Sequence, residues 1–168
     1  MVNNKFPKFS FKKLKSSEKK ELLNKISNFY NEDIEELKQY NFYINNKGKI
    51  NISNIDIDEL DIDLVRLNAV GLYFGTMHDG DRFRPSFEGS RIIKPTKNML
   101  KLNEKSINSY ITGENLFLDE IEKVNTDDKC PFYIIEYESN FLGSVSIKDD
   151  FVINYISKGR KLDYNKMF

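Results

Sequence analysis

The sequence has little cysteine, little histidine and no long apolar run, and each shortage excludes a class of protein. Cys130 is the one cysteine and His78 the one histidine among 168 residues. A disulfide framework and a zinc site built from cysteine or histidine are excluded, because each needs several such residues. No apolar run approaches the roughly 18 residues of a membrane span, and no hydrophobic region follows the lysine-rich N-terminus. We therefore expect a cytoplasmic protein without a membrane span or a signal peptide.

Motifs of common enzymes are also missing. The sequence contains no P-loop and no nucleophile elbow. An S-adenosylmethionine-dependent enzyme ordinarily has a glycine-rich turn after its first strand, whereas Gly71 and Gly75 lie within and at the end of a predicted strand. Cys130 precedes Pro131 at the start of an apolar run, where a small buried or loop residue is expected. We expect a non-catalytic protein with no cofactor and no metal site.

The composition is that of a folded protein with an uneven distribution of charge. Hydrophobic residues make up 39% of the chain and aromatic residues 13%, which argues against disorder. The length suits one domain, or one domain with a small addition. The net charge is +0, yet residues 1–25 hold eight lysines against two glutamates. Local asymmetry of this kind builds basic patches on a neutral protein.

The N-terminal residues predict a small α/β unit. Residues 1–15 mix three phenylalanines with five lysines, which suits stacking on single-stranded nucleic acid but equally an edge strand from Lys8 to Leu14, and we favour the strand. Ser16 or Ser17 can cap a helix, and a second short helix is expected after Asn31. Two strands then form a hairpin around Gly48, and the acidic residues 54–65 form a connection with a short helix.

The stretch from Arg66 to Ile93 organises the rest of the chain. An apolar run with Gly71 inside and Gly75 at its end predicts a buried strand that another backbone approaches closely, or that bends. After a polar turn, Arg82 and Arg84 flank Phe83. In an extended segment both guanidiniums then point one way while the ring turns towards the core. Pro85 follows, at a position where a short helix could begin.

The C-terminal part predicts one helix and several short strands. Asn103 can cap a helix over residues 104–112, with Gly113 as its stop. Strands are expected at residues 115–118, 131–138, 141–147 and 151–156, with residues 119–129 as a loop. Short strands at this spacing indicate a small closed barrel or sandwich.

Several of these segments resemble the PUA-like RNA-binding domain at the C-terminus of RsmF-type ribosomal-RNA cytosine-5 methyltransferases. The similar segments follow one another in the family's order between residues 66 and 162: Gly71-Leu72-Tyr73-Phe74-Gly75, Arg82-Phe83-x-Pro85-Ser86, Tyr110-x-x-Gly113-Glu114, Phe141-Leu142-Gly143 and Asn154-Tyr155-Ile156-Ser157-Lys158-Gly159. The chain departs from the family at Ser157, where the family has proline, at Ile153, where it has lysine, and at Phe87, where it has histidine.

The resemblance implies an α+β fold without the catalytic domain of those enzymes. A small N-terminal α/β unit would occupy residues 1–65, and a PUA-like barrel with short helices would occupy residues 66–168. Its partner would be structured RNA, either ribosomal or transfer RNA, during ribosome maturation or RNA modification. A separate RNA-modifying enzyme or a ribosome-assembly factor would be a further partner.

The resemblance also implies that RNA lies across the first barrel helix and the closing strand. The candidate RNA-binding residues on these elements are Arg82, Arg84, Ser86, Arg91, Lys94, Asn154, Tyr155, Lys158, Arg160 and Lys161. Their contacts would be mostly to phosphate and sugar, with Tyr155 able to stack on an unpaired base. The alternative for each arginine is a surface salt bridge, for instance with Glu88 or Asp81.

Two other functions stay open on the sequence alone. The chain could bind a small ligand or a modified nucleotide, which a deep aromatic cavity under Tyr73 and Phe83 would favour. It could instead be a protein-interaction adaptor in ribosome assembly, which an exposed apolar patch in place of a basic groove would favour.

Overall fold

The computed structural model describes residues 11–59 and 70–162, and within these residues the chain forms eleven strands and four α-helices. The helices are α1 (Ser16–Phe29), α2 (Glu35–Lys38), α3 (Phe87–Ile93) and α4 (Glu104–Thr112). The N-terminal arm before Phe11, most of the acidic connection and residues 163–168 lie outside the described residues. No helix within the described residues is both long enough and apolar enough to cross a membrane.

The first five strands form one antiparallel sheet in chain order. They are β1 (Phe11–Lys13), β2 (Asn41–Asn45), β3 (Lys49–Ser53), β4 (Leu72–His78) and β5 (Arg82–Pro85). The edge strand expected near the N-terminus is confirmed for residues 11–13, which pair with β2. The strand expected from the apolar run is β4, which pairs with β3 of the N-terminal hairpin on one side and with β5 on the other.

The other six strands form a second sheet, in the order β7-β11-β10-β9-β6-β8. They are β6 (Met99–Lys101), β7 (Leu116–Phe117), β8 (Glu122–Val124), β9 (Tyr133–Tyr137), β10 (Asn140–Lys148) and β11 (Phe151–Asn154). β8 lies in the segment expected to be a loop, and β6 was not expected at all. Both strands are only three residues long, and they form through pairing with other strands: β6 pairs with β8 antiparallel and with β9 parallel.

One hydrophobic core joins the two sheets. It contains Leu22 and Ile26 of α1, Phe74 of the first sheet, and Ile134 and Val145 of the second. Hydrogen bonds also connect the C-terminal end of α1 to the second half of the chain. The Tyr30 hydroxyl donates to the Phe132 carbonyl oxygen at 3.0 Å, and the Asn98 amide donates to the Phe29 carbonyl oxygen at 2.6 Å. The mixed α+β fold expected from the sequence is confirmed.

Helix ends show where local signals suffice. α4 runs over the predicted residues, with Asn103 accepting hydrogen bonds from the backbone N–H groups of Lys105 and Ser106. α1 differs from its prediction, because Ser16 is already helical and neither serine is the cap. Glu18 accepts the backbone N–H of Lys15 at 2.6 Å instead, which satisfies a donor at the start of the helix.

The predicted division into units at residues 1–65 and 66–168 falls outside the described residues, so it stays a prediction. The sheet topology bears on it nonetheless. β4 and β5 come after residue 65 in the chain, yet they complete the sheet that the preceding hairpin begins.

Candidate nucleic-acid interface

The paired strands β4 and β5 orient the central arginines as their alternation predicts. Phe83 is buried and stacks on Phe74, with ring centroids 5.5 Å apart. Arg82 is exposed and Arg84 is half-buried on the opposite side of the strand. A β-carbon at Gly75 would lie 2.6 Å from the Arg84 carbonyl oxygen, so the close backbone approach expected at this glycine is confirmed. The glycine thus brings β5 against β4 and fixes where Arg84 emerges.

Ser86 connects β5 to α3. Its hydroxyl oxygen accepts the backbone N–H of Gly89 at 2.9 Å and donates to the Tyr73 carbonyl oxygen at 2.7 Å. The helix therefore begins at Phe87, with Ser86 as its cap, and Pro85 ends the strand instead of opening the helix. Serine is a preferred cap because its side chain satisfies a free N–H of the first turn.

A groove of about 300 Å³ opens where the first sheet and α3 meet the second sheet. We call it the junction groove. Four of the ten predicted RNA-binding residues line it, namely Arg84, Ser86, Tyr155 and Arg160. The other lining residues are Leu72, Tyr73, Pro85, Phe87, Glu88, Tyr110, Leu142, Gly143, Ser144, Ile156 and Ser157.

Arg84 packs on aromatic rings at one wall of the junction groove. Its guanidinium carbon lies 4.6 Å from the ring centroid of Tyr155 and 5.9 Å from that of Phe132. Phe132 is buried and meets Tyr155 edge to face, whereas the Tyr155 side chain remains 39% exposed. No ion pair of Arg84 occurs within the part of the chain that the structure describes. Its charge is therefore held at an exposed ring without a neutralising carboxylate.

Arg160 stands near the other end of the groove and is neutralised. Its guanidinium carbon lies 4.4 Å from the Phe87 ring centroid, and it forms an ion pair with Glu88. The salt bridge that the sequence offered for the arginines at Glu88 thus goes to Arg160. The other suggested acceptor, Asp81, pairs with Lys25.

Three other predicted residues lie away from the junction groove. Arg82 lines a separate recess of about 220 Å³ with Lys25, Asp81 and Lys129, and its Nε donates to the Asp79 carbonyl oxygen at 3.0 Å. Arg91 sits in the last turn of α3, 6.0 Å from the Phe87 ring centroid. Lys94 ends α3 and forms an ion pair with Glu36 at 2.9 Å.

The remaining predicted residues lie in the segment after β10. Asn154 holds the backbone, because its amide donates to the carbonyl oxygens of Tyr110 and Glu114 at 2.7 Å and 3.0 Å. Lys158 is exposed in a short 3-10 helix. The Lys161 ammonium lies 3.5 Å from the Gly113 carbonyl oxygen. Neither lysine lines the junction groove.

His78 ends β4 and is half-buried next to this surface. Its ring lies 5.6 Å from the Phe132 ring centroid, and its Nε2 is buried without a partner among the described residues. Burial lowers the pKa of His78, and the charges of Arg84 and Arg82 lower it further. The imidazole is therefore neutral at pH 7 and adds no charge to this surface.

Residues of β10 line one side of the junction groove, which the sequence did not predict. Tyr110 donates to the Leu142 carbonyl oxygen at 2.7 Å, and Ser144 donates to the Pro85 carbonyl oxygen at 2.7 Å. A register shift lies between Phe141 and Ser144, where Gly143 adopts a φ of 100°. An isolated glycine inside a strand pattern is the usual signal of such a bulge, so Gly143 was the available clue.

The fold has counterparts among known proteins. Residues 11–87 match the family described as NIP7/UPF0113, pre-PUA domain, and this match spans all five strands of the first sheet. A conserved PUA domain protein from Thermoplasma acidophilum has a similar structure, with a TM-score of 0.55 over 84% of this chain and 82% of that chain, at 14% sequence identity. No curated protein matches the sequence.

These matches confirm the coarser part of the sequence interpretation. The first part of the chain is similar to NIP7-type pre-PUA domains, and the chain has the fold of a PUA domain protein. The finer resemblance to RsmF-type C-terminal domains stays a hypothesis.

Proposed function

We propose that this protein is a non-catalytic RNA-binding protein, and that its junction groove forms the centre of the RNA-binding surface. Structured ribosomal or transfer RNA is the proposed partner, during ribosome maturation or RNA modification. A separate RNA-modifying enzyme or an assembly factor is a further proposed partner. The pre-PUA match and the PUA-like fold support this assignment, and so does the hypothesised resemblance to RsmF-type RNA-binding domains.

The observation that carries the proposal is the Arg84–Tyr155 pair. An exposed tyrosine ring with a guanidinium 4.6 Å from its centroid offers stacking and positive charge at one point. RNA-binding surfaces combine these two properties, since bases stack on aromatic rings and phosphates attract arginine. The groove beside the pair lies between two halves of the fold that a single core holds together.

The proposal is tested by measuring RNA affinity against salt concentration. When arginine and lysine side chains bind phosphates, they release the counterions condensed on the RNA. The logarithm of affinity should therefore fall linearly with the logarithm of salt concentration. Replacing Arg84 and Arg160 with alanine should weaken binding and reduce the magnitude of this slope by roughly one to two. Fluorescence anisotropy with labelled transfer RNA and ribosomal RNA fragments measures both quantities.

A matched control removes two cations elsewhere. Lys38 and Lys105 lie in exposed ion pairs with Glu35 and Glu120, and the Lys38→Ala/Lys105→Ala variant has the same net charge as the arginine variant. It should keep the slope of the unmodified protein. Equal loss in both variants would show that only overall charge matters, and no binding at low salt would refute the proposal.

A second candidate function, protein binding, is favoured by one specific observation. Phe117 and Phe151 face each other on β7 and β11 with ring centroids 5.0 Å apart, and their side chains are 54% and 42% exposed. Adjoining exposed apolar side chains form the kind of patch through which proteins contact one another. The modified-nucleotide alternative gains less, because Tyr73 and Phe83 line different recesses.

A further inference from the structure

The size of the junction groove limits what part of an RNA can enter it. Its volume of about 300 Å³ lies at the lower end of the range found for small-ligand sites. A duplex keeps its bases stacked inside and presents only its backbone and groove edges. The groove is therefore suited to one nucleotide that has left the stack.

The Tyr155 ring is held in place before any ligand arrives. Its hydroxyl lies 2.8 Å from the Ser146 hydroxyl, Arg84 covers part of the ring, and buried Phe132 supports it edge to face. A ring fixed in this way loses little conformational freedom when a base stacks on it. Arg84 places a positive charge next to the same position.

Of the serine and tyrosine hydroxyl groups that line the groove, only that of Ser157 has no hydrogen bond within the described residues, so little capacity is left to distinguish one base from another. Those of Ser86, Tyr110 and Ser144 donate to the carbonyl oxygens of Tyr73, Leu142 and Pro85, each at 2.7 Å. The Tyr73 hydroxyl is bonded to that of Thr76 at 2.6 Å. Arg160 is paired with Glu88. Stacking and charge remain, and both tolerate any base.

On the basis of the proposed RNA-binding function, we propose that the junction groove accepts a single unpaired nucleotide of any base identity. Tyr155 is the stacking surface, and Arg84 compensates the charge of the adjoining phosphate. The preferred RNA is then a helix interrupted by a bulged or flipped nucleotide, rather than a continuous helix.

The test compares two RNA hairpins that differ by one bulged nucleotide. The bulge carries 2-aminopurine, whose fluorescence reports stacking, and anisotropy reports affinity. The unmodified protein should bind the bulged hairpin roughly 5 to 150 times more tightly than the paired one, the range measured for stacking of one base on an aromatic ring. Hairpins with A, C, G or U at the bulge should bind within about threefold of one another.

Variants locate the stacking surface. Tyr155→Ala should lose the preference for the bulge and its fluorescence signal, and Tyr155→Phe should restore both because it keeps the ring. Phe117→Ala removes an exposed ring of the second sheet that lies outside the groove, and it should preserve the preference. Thermal unfolding of each variant shows whether it folds.

Each failure has a distinct meaning. Equal affinity for bulged and paired hairpins would overturn this inference while leaving RNA binding in place. An unchanged bulge preference in Tyr155→Ala would also overturn it. A preference above about tenfold for one base would refute the claim of base tolerance. Absence of binding to either hairpin would overturn the proposed function and this inference together.

Discussion

Exposed aromatic side chains stand at both ends of β11, and their surroundings differ. At one end Tyr155 lies against Arg84, whose charge is not neutralised by a carboxylate among the described residues. At the other end Phe151 pairs with Phe117, and the neighbouring exposed residues are one lysine, Lys148, and three aspartates, Asp119, Asp149 and Asp150. The rings alone would suit nucleic acid or protein at either end. Charge separates them, because carboxylates repel phosphate and arginine attracts it.

An exposed aromatic residue gains a proposed role from the side chains that the fold places next to it. Tyr155 lies in the groove because α3 is fixed to β10 and β4. The Ser90 hydroxyl accepts the Gly143 backbone N–H at 3.1 Å, and Ser86 bonds to the Tyr73 carbonyl. Phe117 and Phe151 lie on a short edge strand and its neighbour, and no helix among residues 11–59 and 70–162 covers their exposed faces.

The largest expected effect is a loss of stability when α3 is displaced. This change would disturb the junction groove at the Tyr155 end of β11 and leave the Phe151 end unchanged. A β-carbon at Gly89 would collide with the Phe74 carbonyl oxygen, which already accepts the Ser86 N–H at 2.9 Å. Gly89→Ala should therefore lower the free energy of unfolding by about 3 kcal/mol, as overpacked sites do. Denaturant unfolding measures this loss.

Gly159→Ala is the matched control, because a β-carbon there meets nothing within 4 Å. Its unfolding free energy should stay within about 0.5 kcal/mol of the unmodified protein. Similar losses in both variants would mean that the contact between α3 and β4 is not what makes Gly89 necessary.

Local signals account for the parts of this structure that the sequence predicted well. Asn103 and Gly113 bound α4 because a cap and a stop act within one turn. Arg82 and Arg84 point away from the core because alternation along a strand is geometric. Neither observation requires knowledge of the rest of the chain.

The composition of the groove depended on contacts that no local pattern contains. Ser144 and Pro85 are 59 positions apart, and their hydrogen bond closes one wall. Lys94 is one of the predicted RNA-binding residues, yet it pairs with Glu36 of the N-terminal half. Three predicted cations therefore lie in three different surroundings: Arg84 in the groove, Arg82 in the neighbouring recess and Lys94 in an ion pair between elements.

A smaller effect is expected at the Phe117–Phe151 end, where the pair should contribute to stability without contributing to RNA affinity. A double-mutant cycle with alanine at both positions should give a coupling energy of about 0.5–1 kcal/mol, as for other cross-strand aromatic pairs. Salt-dependent RNA binding should not change in either single variant.

Leu72 provides the control for this cycle, because it is 43% exposed but lies on β4 in the other sheet. Phe117→Ala and Leu72→Ala should be additive, since distant sites rarely couple. A loss of RNA affinity in Phe117→Ala would remove the distinction between the two ends of β11.

The smallest expected effect concerns pH and belongs to the Tyr155 end, where His78 lies against Phe132. Its folded pKa is below the ordinary value of 6.5, chiefly through burial. Below pH 6.5 the unfolded chain therefore binds more protons than the folded one, and stability falls as pH decreases until the folded pKa is passed. Well above pH 6.5 both states are unprotonated, and His78 contributes no pH dependence.

The melting temperature should fall between about pH 7.5 and about pH 5.5. His78→Phe should reduce that fall, because histidine is the side chain that normally titrates in this window. Arg84→Ala should reduce it less, since Arg84 is a secondary cause of the shift. If the melting temperature falls equally in the unmodified protein and in His78→Phe, protonation of other groups sets the pH dependence of stability. Burial of Nε2 would then not disfavour protonation of His78.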